Sequence, residues 1–348
     1  MKQTILVTGG TGYIGSWVVK GLLENGHHVR LTVRNINHKE KYQFLSDIAE
    51  ASKGSIELWE ADLLKMGSFD EAVKGCDAIA HIASPFKLKV KNAQRDLVDP
   101  AVIGTTNLLE AANKSGSVKK VVLTSSVAAI FGDNIDMQNQ NLSMLTEEHY
   151  NSSSSLRHQP YSYSKVEAEK KAWTIAKQQS NWELIVMNPS FVMGPSLTST
   201  SESESLKFMT DMLTGKFKTG AAELYIGYVD VRDVAKAHVF GLENEVEGRF
   251  ILSERVTDML SFSNIIREHY GNTYQLPKSN SPKWLISIIG GFFGLSRKYV
   301  KNNIGIPLEL DSSKSKGQLK LNYIPLEQTI QDMIEQLKSL QITFSNKR

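Results

Sequence analysis

The feature that most constrains the fold of this chain is a set of three glycines near its start, spaced as Gly9-x-x-Gly12-x-x-Gly15. The run TILVT before them has the β-branched composition of a buried strand, and SWVVKGLLEN after them has the apolar periodicity of a helix. Glycine weakens both kinds of element, so three glycines at such a junction indicate a steric need. The motif therefore predicts a strand that passes through a tight turn into a helix.

The same alternation of strand and helix continues through the first half of the chain. Strands are predicted at residues 4–8, 28–33, 55–60, 78–83, 119–124 and 183–188. Amphipathic stretches separate them, and one of these, VIGTTNLLEAANKSG, ends at Gly116, which suits a helix C-cap. Short strands that alternate with helices predict an α/β fold with a doubly wound (Rossmann) parallel sheet, covered by helices on both faces.

This regularity lapses after about residue 189. A strand-and-helix pattern returns at 225–244, and RFILSE at 249–254 reads as one more strand, after which helical patterns continue to the end. We therefore predict a larger Rossmann domain and a smaller, interleaved C-terminal lobe that binds the substrate. The predicted Rossmann domain comprises residues 1–188 and 224–253, and the predicted substrate lobe comprises residues 189–223 and 254–348.

Composition excludes several classes of protein. The formal net charge of +3 is too small to indicate nucleic-acid binding. The single cysteine, Cys76, rules out an intramolecular disulfide and favours a reducing compartment, so we expect a cytoplasmic protein. The most apolar stretch, WLISIIGGFFGL at 284–295, has only about half of the roughly 20 residues that a membrane-spanning helix needs. We expect it to form a buried helix or a pocket lid, and we predict no membrane partner and no metal.

A three-glycine turn between a strand and a helix is also the context of a dinucleotide-binding fingerprint. Gly9 permits the tight turn, Gly12 lets the backbone approach a pyrophosphate, and Gly15 lets helix and strand pack closely. The N–H groups and the positive end of the helix then face the phosphates. A tight turn without a ligand is the alternative, and the position of the motif at the start of an alternating chain favours a cofactor.

The residues after the second predicted strand indicate which dinucleotide binds. NAD-binding folds place an Asp or Glu there to accept hydrogen bonds from the ribose. In this chain the strand ends LTVRN, so Arg34 stands at that point, with Lys39 and Lys41 soon after it. Cations suit the 2′-phosphate that distinguishes NADP. We therefore predict NADP(H) as the cofactor, with a solvated basic loop as the alternative.

A pair of residues with proton-transfer chemistry follows in the middle of the chain. Tyr161 and Lys165 are four residues apart in a helical stretch, which puts a phenol and an ammonium on one face. A tyrosine, with a reference pKa of about 10, exchanges protons near neutrality only where a cation stabilises its phenolate. Ser125 and Ser126 follow a predicted strand, at the sheet edge where ligands of such folds bind. Ser126 is then suited to donate to a carbonyl oxygen that Tyr161 protonates, although a Tyr-x-x-x-Lys pair alone is common on helix surfaces.

Together these motifs resemble those of the extended short-chain dehydrogenase/reductases, in the NAD-dependent epimerase/dehydratase superfamily. The chain is most similar to the group containing dihydroflavonol reductases, cinnamoyl-CoA reductases and yeast-type aldehyde or methylglyoxal reductases. The matching segments, in the family's order, are TGGTGYIGSW, VRLTVRN, ADLL, HIASPF, VVLTSSVAAIFG, NPSFVMGP and YVDVRDVAKAH. The resemblance implies an NADP-dependent oxidoreductase that acts on a small-molecule carbonyl substrate, as a monomer or homodimer.

The resemblance also implies roles for individual residues. Ser126, Tyr161 and Lys165 would be catalytic, with Lys165 also bonding the nicotinamide ribose. Asn107 matches an asparagine that some relatives use in a proton relay, whereas His81 is expected to be a packed strand residue. The other implied cofactor contacts, besides Gly9 and Gly15, are Thr11, Gly12, Tyr13 and Ile14 at the pyrophosphate, Arg34 and Lys39 at the 2′-phosphate, Asp62 and Leu63 at the adenine, Ala83 and Ser84 at the nicotinamide ribose, and Pro189 and Val192 at the carboxamide.

Departures from the family pattern bear on the substrate. The residues around Tyr161 read HQPYSYSK and lack the Trp-Tyr-Cys-Tyr block of cinnamoyl-CoA reductases, which argues against a CoA thioester. The polar stretch 133–158 gives no reason to assign a flavonoid. We expect reversible, NADPH-dependent reduction of an aldehyde or ketone to the alcohol. A 3β-hydroxysteroid dehydrogenase and a nucleotide-sugar epimerase or dehydratase are enzymatic alternatives, and a cofactor-sensing regulatory protein is the non-enzymatic one.

Overall fold

The computed structural model describes residues 2–84, 90–198 and 203–339. Parts of three segments discussed above lie outside this range: Pro85 and Phe86 of HIASPF, residues 199–202 of the loop after residue 189, and residues 340–348 of the predicted substrate lobe. The side chains of Phe292 and Phe293 are outside the description as well. Within the described ranges, no helix combines the length and the apolar composition that crossing a membrane requires.

Ten strands form the framework of the described structure. Seven of them make one parallel sheet in the order β3-β2-β1-β4-β5-β6-β9, which is the predicted doubly wound arrangement with one added strand. The strands are β1 Thr4–Thr8, β2 His28–Val33, β3 Ser55–Glu60, β4 Ala78–His81, β5 Lys120–Thr124, β6 Glu183–Pro189, β7 Phe191–Met193, β8 Tyr225–Asp230, β9 Gly248–Leu252 and β10 Arg255–Asp258.

The predicted strands 4–8, 28–33 and 55–60 match β1, β2 and β3 to the residue. The predicted strand 78–83 is two residues too long. The chain leaves the sheet after His81 because the N–H groups of Ile82 and Ala83 turn onto the carbonyl oxygen of Thr8, at 3.3 and 3.2 Å. This bend occurs where the strand order reverses between β1 and β4, which is the point where such sheets open a ligand crevice.

Helices cover both faces of the large sheet, as predicted. One face packs against α1, α2 and α8, and the other against α3, α4 and α6. Helix α4 ends as the sequence indicates, with Gly116 in the left-handed conformation at φ +66°. The helices are α1 Tyr13–Glu24, α2 Gln43–Glu50, α3 Asp70–Val73, α4 Asp99–Ser115, α5 Ile135–Asn139, α6 Pro160–Ala176, α7 Glu204–Leu213, α8 Val231–Glu243, α9 Met259–Tyr270, α10 Lys283–Ile289, α11 Arg297–Asn303, α12 Ser313–Gln318 and α13 Leu326–Ser339.

A second, three-stranded sheet has the order β10-β8-β7 and its own core. Strand β8 belongs to this sheet, although it lies in the segment 224–253 that we assigned to the Rossmann domain. Helix α8 and strand β9 from the same segment do belong to the large sheet and its cover. Around β8, side chains of α7, α9 and α13 form a separate hydrophobic cluster, in which Tyr228 stacks on Phe262.

The apolar stretch 284–295 does not form the buried helix that we expected. Helix α10 lies at the surface, where Ile286 packs against Val300 and Ile304, but Trp284 and Ile288 are 66 and 67% exposed. Helix α10 has seven residues, which make about two turns. One of its faces is buried, and the other, which is also apolar, meets solvent.

Candidate active site

The three glycines form a backbone cradle at the end of β1. Gly9 is left-handed at φ +70°, and a Cβ on it would lie 2.7 Å from the backbone N of Ala83. A Cβ on Gly15 would lie 2.1 Å from the carbonyl oxygen of Gly9. Gly12 is the N-cap of α1 and has no side-chain oxygen that could accept hydrogen bonds from the first N–H groups of the helix. The half-buried Thr11 precedes it. The cradle therefore leaves helix N–H groups available to an anion, in a space that side chains at these positions would fill.

The side chains of Tyr13 and Ile14 serve packing. The Tyr13 hydroxyl donates to the carbonyl oxygen of Gly194 at 2.6 Å, and burial, together with the Asp230 carboxylate, raises its pKa. Ile14 packs into the core between α1 and the large sheet. Any contact of these two residues with a phosphate therefore comes from backbone N–H groups.

The predicted 2′-phosphate site is an exposed, basic loop. Arg34 follows β2 directly and Lys39 begins a short 3-10 turn, and both side chains are exposed. Close by, the backbone N–H of Ile36 donates to the Glu60 carboxylate at 3.4 Å. The geometry suits a dianionic phosphate and equally suits a solvated loop, so the role of Arg34 stays a prediction.

The predicted adenine site is a turn after β3. One carboxylate oxygen of Asp62 accepts from the backbone N–H of Leu64 at 2.9 Å and so fixes the turn. The side-chain amide of Asn107 donates to the carbonyl oxygen of Leu63 at 2.7 Å. In this structure the Asn107 side chain supports the turn after β3, and the proton relay implied by the family resemblance stays a prediction.

The predicted catalytic residues lie at the same edge of the sheet. Ser126 follows β5, and its hydroxyl oxygen accepts from the N–H of Ala128 at 3.1 Å, so that its position is fixed by a short turn that packs against α6. Tyr161 is in the first turn of α6 and is 40% exposed, whereas Lys165, one turn later, is 8% exposed. The Lys165 ammonium lies 5.8 Å from the centre of the Tyr161 ring. A buried cation thus stands beside an accessible phenol.

A cleft runs between Lys165 and the end of β4, and neither Tyr161 nor Ser126 is among the residues that line it. Its lining brings together Lys165 from the predicted catalytic residues and Ala83, Ser84 and Leu63 from the predicted cofactor contacts. The complete lining is Leu63, His81, Ala83, Ser84, Ala101, Thr105, Leu123, Thr124, Ser125, Lys165, Ala168 and Glu169.

His81 is buried at the floor of this cleft. Its Nδ1 lies 2.8 Å from the Thr8 hydroxyl. Burial and the neighbouring Lys165 ammonium lower the pKa of His81 to about 3. His81 is therefore neutral near pH 7 and is a packed strand residue, as expected, with no proton to donate from an imidazolium.

Pro189 and Val192 do not line this cleft and lie at the junction of the two sheets. Pro189 ends β6 and is in register with Leu252 of β9. Val192 lies in β7, in register with Val229 of β8, and packs against the core of the large sheet. These two residues therefore stand where the large sheet passes into the small one.

Sequence reasoning missed a buried ionic network directly behind the site. Glu169 lies two helical turns after Tyr161, is 1% exposed, and accepts hydrogen bonds from the Ser125 hydroxyl and from the Asn188 amide, the latter at 2.9 Å. Its other carboxylate oxygen lies 2.6 Å from Nε of Arg249, which is 6% exposed. Removing either Glu169 or Arg249 would leave the other charge buried without its partner, which typically lowers the free energy of unfolding by about 3–5 kcal/mol. The network fixes α6 against the ends of β5, β6 and β9.

Only one signal in the sequence pointed to this network. Glu169 continues the four-residue spacing of Tyr161 and Lys165, so all three share one face of α6. Its partner Arg249 is 80 residues away, and a lone Arg at the start of a strand normally reads as a surface residue.

The chain is similar to known proteins in both sequence and fold. A model of the NAD dependent epimerase/dehydratase family matches residues 5–252. Cinnamoyl-CoA reductase CAD2 of Medicago truncatula is 34% identical over 342 residues, which cover 97% of this chain and 96% of that protein. Dihydroflavonol 4-reductase of Arabidopsis thaliana is 33% identical over 282 residues, covering 80% of this chain and 72% of that protein. Among solved structures, the yeast methylglyoxal/isovaleraldehyde reductase Gre2 complexed with NADPH superposes with a TM-score of 0.78 at 27% identity, covering 97 and 99% of the two chains.

Proposed function

Because this chain belongs to the NAD dependent epimerase/dehydratase family, and within it to the NADP-dependent oxidoreductases that act on carbonyl groups, we propose that it reduces an aldehyde or ketone to the alcohol with Tyr161 as the acid. The observation that carries the proposal is the pairing of an accessible phenol with a buried ammonium at the ligand-binding edge of the sheet. Reduction of small aldehydes is favoured over CoA thioesters by the solved reductase that superposes on the chain and by the sequence HQPYSYSK around Tyr161.

The residues present fit the cofactor. Gly9 and Gly15 have no room for a Cβ, because it would collide with backbone. The turn that these glycines permit is bounded by backbone N–H groups, which suits a pyrophosphate. Arg34 would hold the 2′-phosphate, Asp62 would stand at the adenine, and Lys165 would bond the ribose. When bound, NADPH supplies a hydride for the carbonyl carbon.

The protein's own part in the reaction is proton transfer and orientation. The Ser126 hydroxyl donates to the carbonyl oxygen and polarises it. Tyr161 gives its phenolic proton to that oxygen as the alcohol forms, and Lys165 stabilises the phenolate that remains. In the reverse direction the same phenolate takes the proton from the alcohol. The second lobe would contribute the walls of the substrate pocket.

The test is loss of NADPH absorbance with a panel of aldehydes, ketones, sterones and a dihydroflavonol, repeated with NADH. Replacing Tyr161 by Phe should lower kcat by about 100- to 10,000-fold, because general acid catalysis contributes that much. Binding of NADPH, followed by its fluorescence, should change by less than about twofold, since the ring remains. Tyr163→Phe, two residues further along the same helix, is the matched control and should retain wild-type turnover.

Two results would contradict the proposal. Substantial turnover by Tyr161→Phe would remove the acid–base role, and tight NADPH binding without turnover of any carbonyl would favour the epimerase or dehydratase alternative or the cofactor-sensing regulatory protein. Turnover restricted to sterones would instead identify the substrate as that of a 3β-hydroxysteroid dehydrogenase. The monomeric or homodimeric state stays a prediction.

A further inference from the structure

A single buried carboxylate joins the catalytic helix to the second lobe. Asp133 is fully buried, seven residues after Ser126, and accepts four hydrogen bonds. Gln159 Nε2 and Asn303 Nδ2 donate to Oδ1 at 2.6 and 2.7 Å. His158 Nε2 and Asn302 Nδ2 donate to Oδ2 at 2.7 and 2.8 Å. A carboxylate has about four acceptor positions, so all of them are used.

Two of these donors fix the start of the catalytic helix. His158 and Gln159 immediately precede α6, and Gln159 is its N-cap. Gln159 has φ +52°, a left-handed conformation that is unfavourable for a residue other than glycine and persists only where the surroundings enforce it. The hydrogen bond to Asp133 is part of that enforcement, and Tyr161 follows two residues later.

The other two donors come from a helix much later in the chain. Asn302 and Asn303 are the last residues of α11, in the predicted substrate lobe. Asn134 adds a second link to α11, because its backbone N–H donates to Asn303 Oδ1 at 2.9 Å. The Asn134 amide in turn donates to the carbonyl oxygens of Tyr225 and Ile306, each at 3.1 Å. The second lobe is therefore attached at the residue pair 133–134.

We propose that Asp133 is a positioning residue, which sets the start of α6, and hence the Tyr161 hydroxyl, relative to the substrate lobe. The proposal rests on the acid role of Tyr161 given above. An amide cannot replace the carboxylate, because its NH₂ group would meet two of the four donors. Loss of those bonds lets Gln159 relax towards an ordinary backbone conformation and moves the first turn of α6. A shift of about 1 Å at a catalytic group can cost 100-fold in rate.

The test is Asp133→Asn in the full chain, assayed at a temperature where circular dichroism shows every variant folded. We expect kcat for carbonyl reduction to fall by about 10- to 100-fold. The dissociation constant of NADPH should change by less than about twofold, because the glycine cradle lies at the end of a different strand. Asp233→Asn is the matched control: Asp233 is also fully buried, but it lies on α8 and accepts from the backbone N–H of Ile324. This control should lose stability and keep its kcat.

The link to the second lobe is tested separately with Asn302→Ala, which removes one donor to Asp133 and leaves the carboxylate in place. We expect it to raise KM for the carbonyl with a smaller fall in kcat, and its effect should not add to that of Asp133→Asn. This variant also keeps the proposal falsifiable where Asp133→Asn does not fold.

The outcomes separate the two proposals. An inactive wild type or an active Tyr161→Phe overturns the proposed function. If wild type is active and Tyr161→Phe is inactive, then a kcat of Asp133→Asn equal to that of Asp233→Asn, or an equal weakening of NADPH binding, overturns the positioning role alone.

Discussion

At the scale of single residues, we predict that cofactor preference depends on one exposed guanidinium, that of Arg34. Arg34→Ala should weaken NADPH by about 10- to 100-fold, because a hydrogen bond to a charged group contributes about 1.5–3 kcal/mol, and should leave NADH almost unchanged. Dissociation constants from fluorescence titration with each dinucleotide test this. Lys53→Ala is the control, because it makes the same change in net charge at an exposed residue. Lys53 lies just before the start of β3, whereas Arg34 lies near the end of that strand. An equal loss of affinity for NADPH and NADH would mean that Arg34 belongs to a solvated loop and does not contact the 2′-phosphate.

Residue-scale prediction from the sequence reaches residues whose chemistry is local to a motif. The glycines, Tyr161 and Lys165 were singled out because their spacing within one element carries the signal, and their roles stay predictions. Asp133, Glu169 and Arg249 were not found, because each acquires its role from partners far away in the chain. A charged side chain reads as solvated until the fold shows what buries it.

At the scale of elements, the junction of β1 and α1 depends on Gly15 having no side chain. Gly15→Ala should destabilise the fold by about 1–3 kcal/mol and weaken NADPH binding, since the added Cβ meets backbone that cannot move aside. Gly21→Ala, in the same helix, is the control: its Cβ would meet only the end of Val239 at 3.1 Å, and it gains helix propensity of roughly 1 kcal/mol. Urea unfolding and NADPH titration of both variants provide the measurement. Unchanged binding in Gly15→Ala would contradict the close-packing role.

Elements were predictable in proportion to their length and to how local their pairing is. Strand β1 is buried along nearly its whole length and reads as a continuous apolar run, and β2 is buried from Leu31 to Val33. Strand β3 was placed correctly although it lies at the edge of the sheet and is only half-buried. Strands β7 and β10 have three and four residues, too few for any period to show. Strand β8 was recognised as a strand but its sheet was not, because sheet membership depends on those two short partners.

At the scale of the whole molecule, two buried histidines make stability depend on pH. Burial lowers the pKa of His238 to about 4, and burial and Lys165 lower that of His81 to about 3. In the neutral His238 ring, Nδ1 donates to the carbonyl oxygen of Val234 at 2.7 Å and Nε2 accepts from the Thr124 hydroxyl at 2.7 Å. The two histidines join α8 to β5 and β4 to β1, so their protonation acts on the large sheet as a unit.

The unfolded chain protonates both histidines at a pKa near 6.5, whereas the folded chain resists protonation until a much lower pH. Between those values the unfolded state holds more protons, so stability falls as the pH falls below about 6.5, by about 1.4 kcal/mol per pH unit for each histidine. The free energy of unfolding in urea, measured from about pH 7 to about pH 5, should fall with a slope that corresponds to the uptake of nearly two protons on unfolding. Most carboxylates titrate below this range. His238→Gln should remove about half of that slope. A pH-independent free energy of unfolding over this range would mean that water reaches these rings and that the sheet opens more readily than its packing indicates.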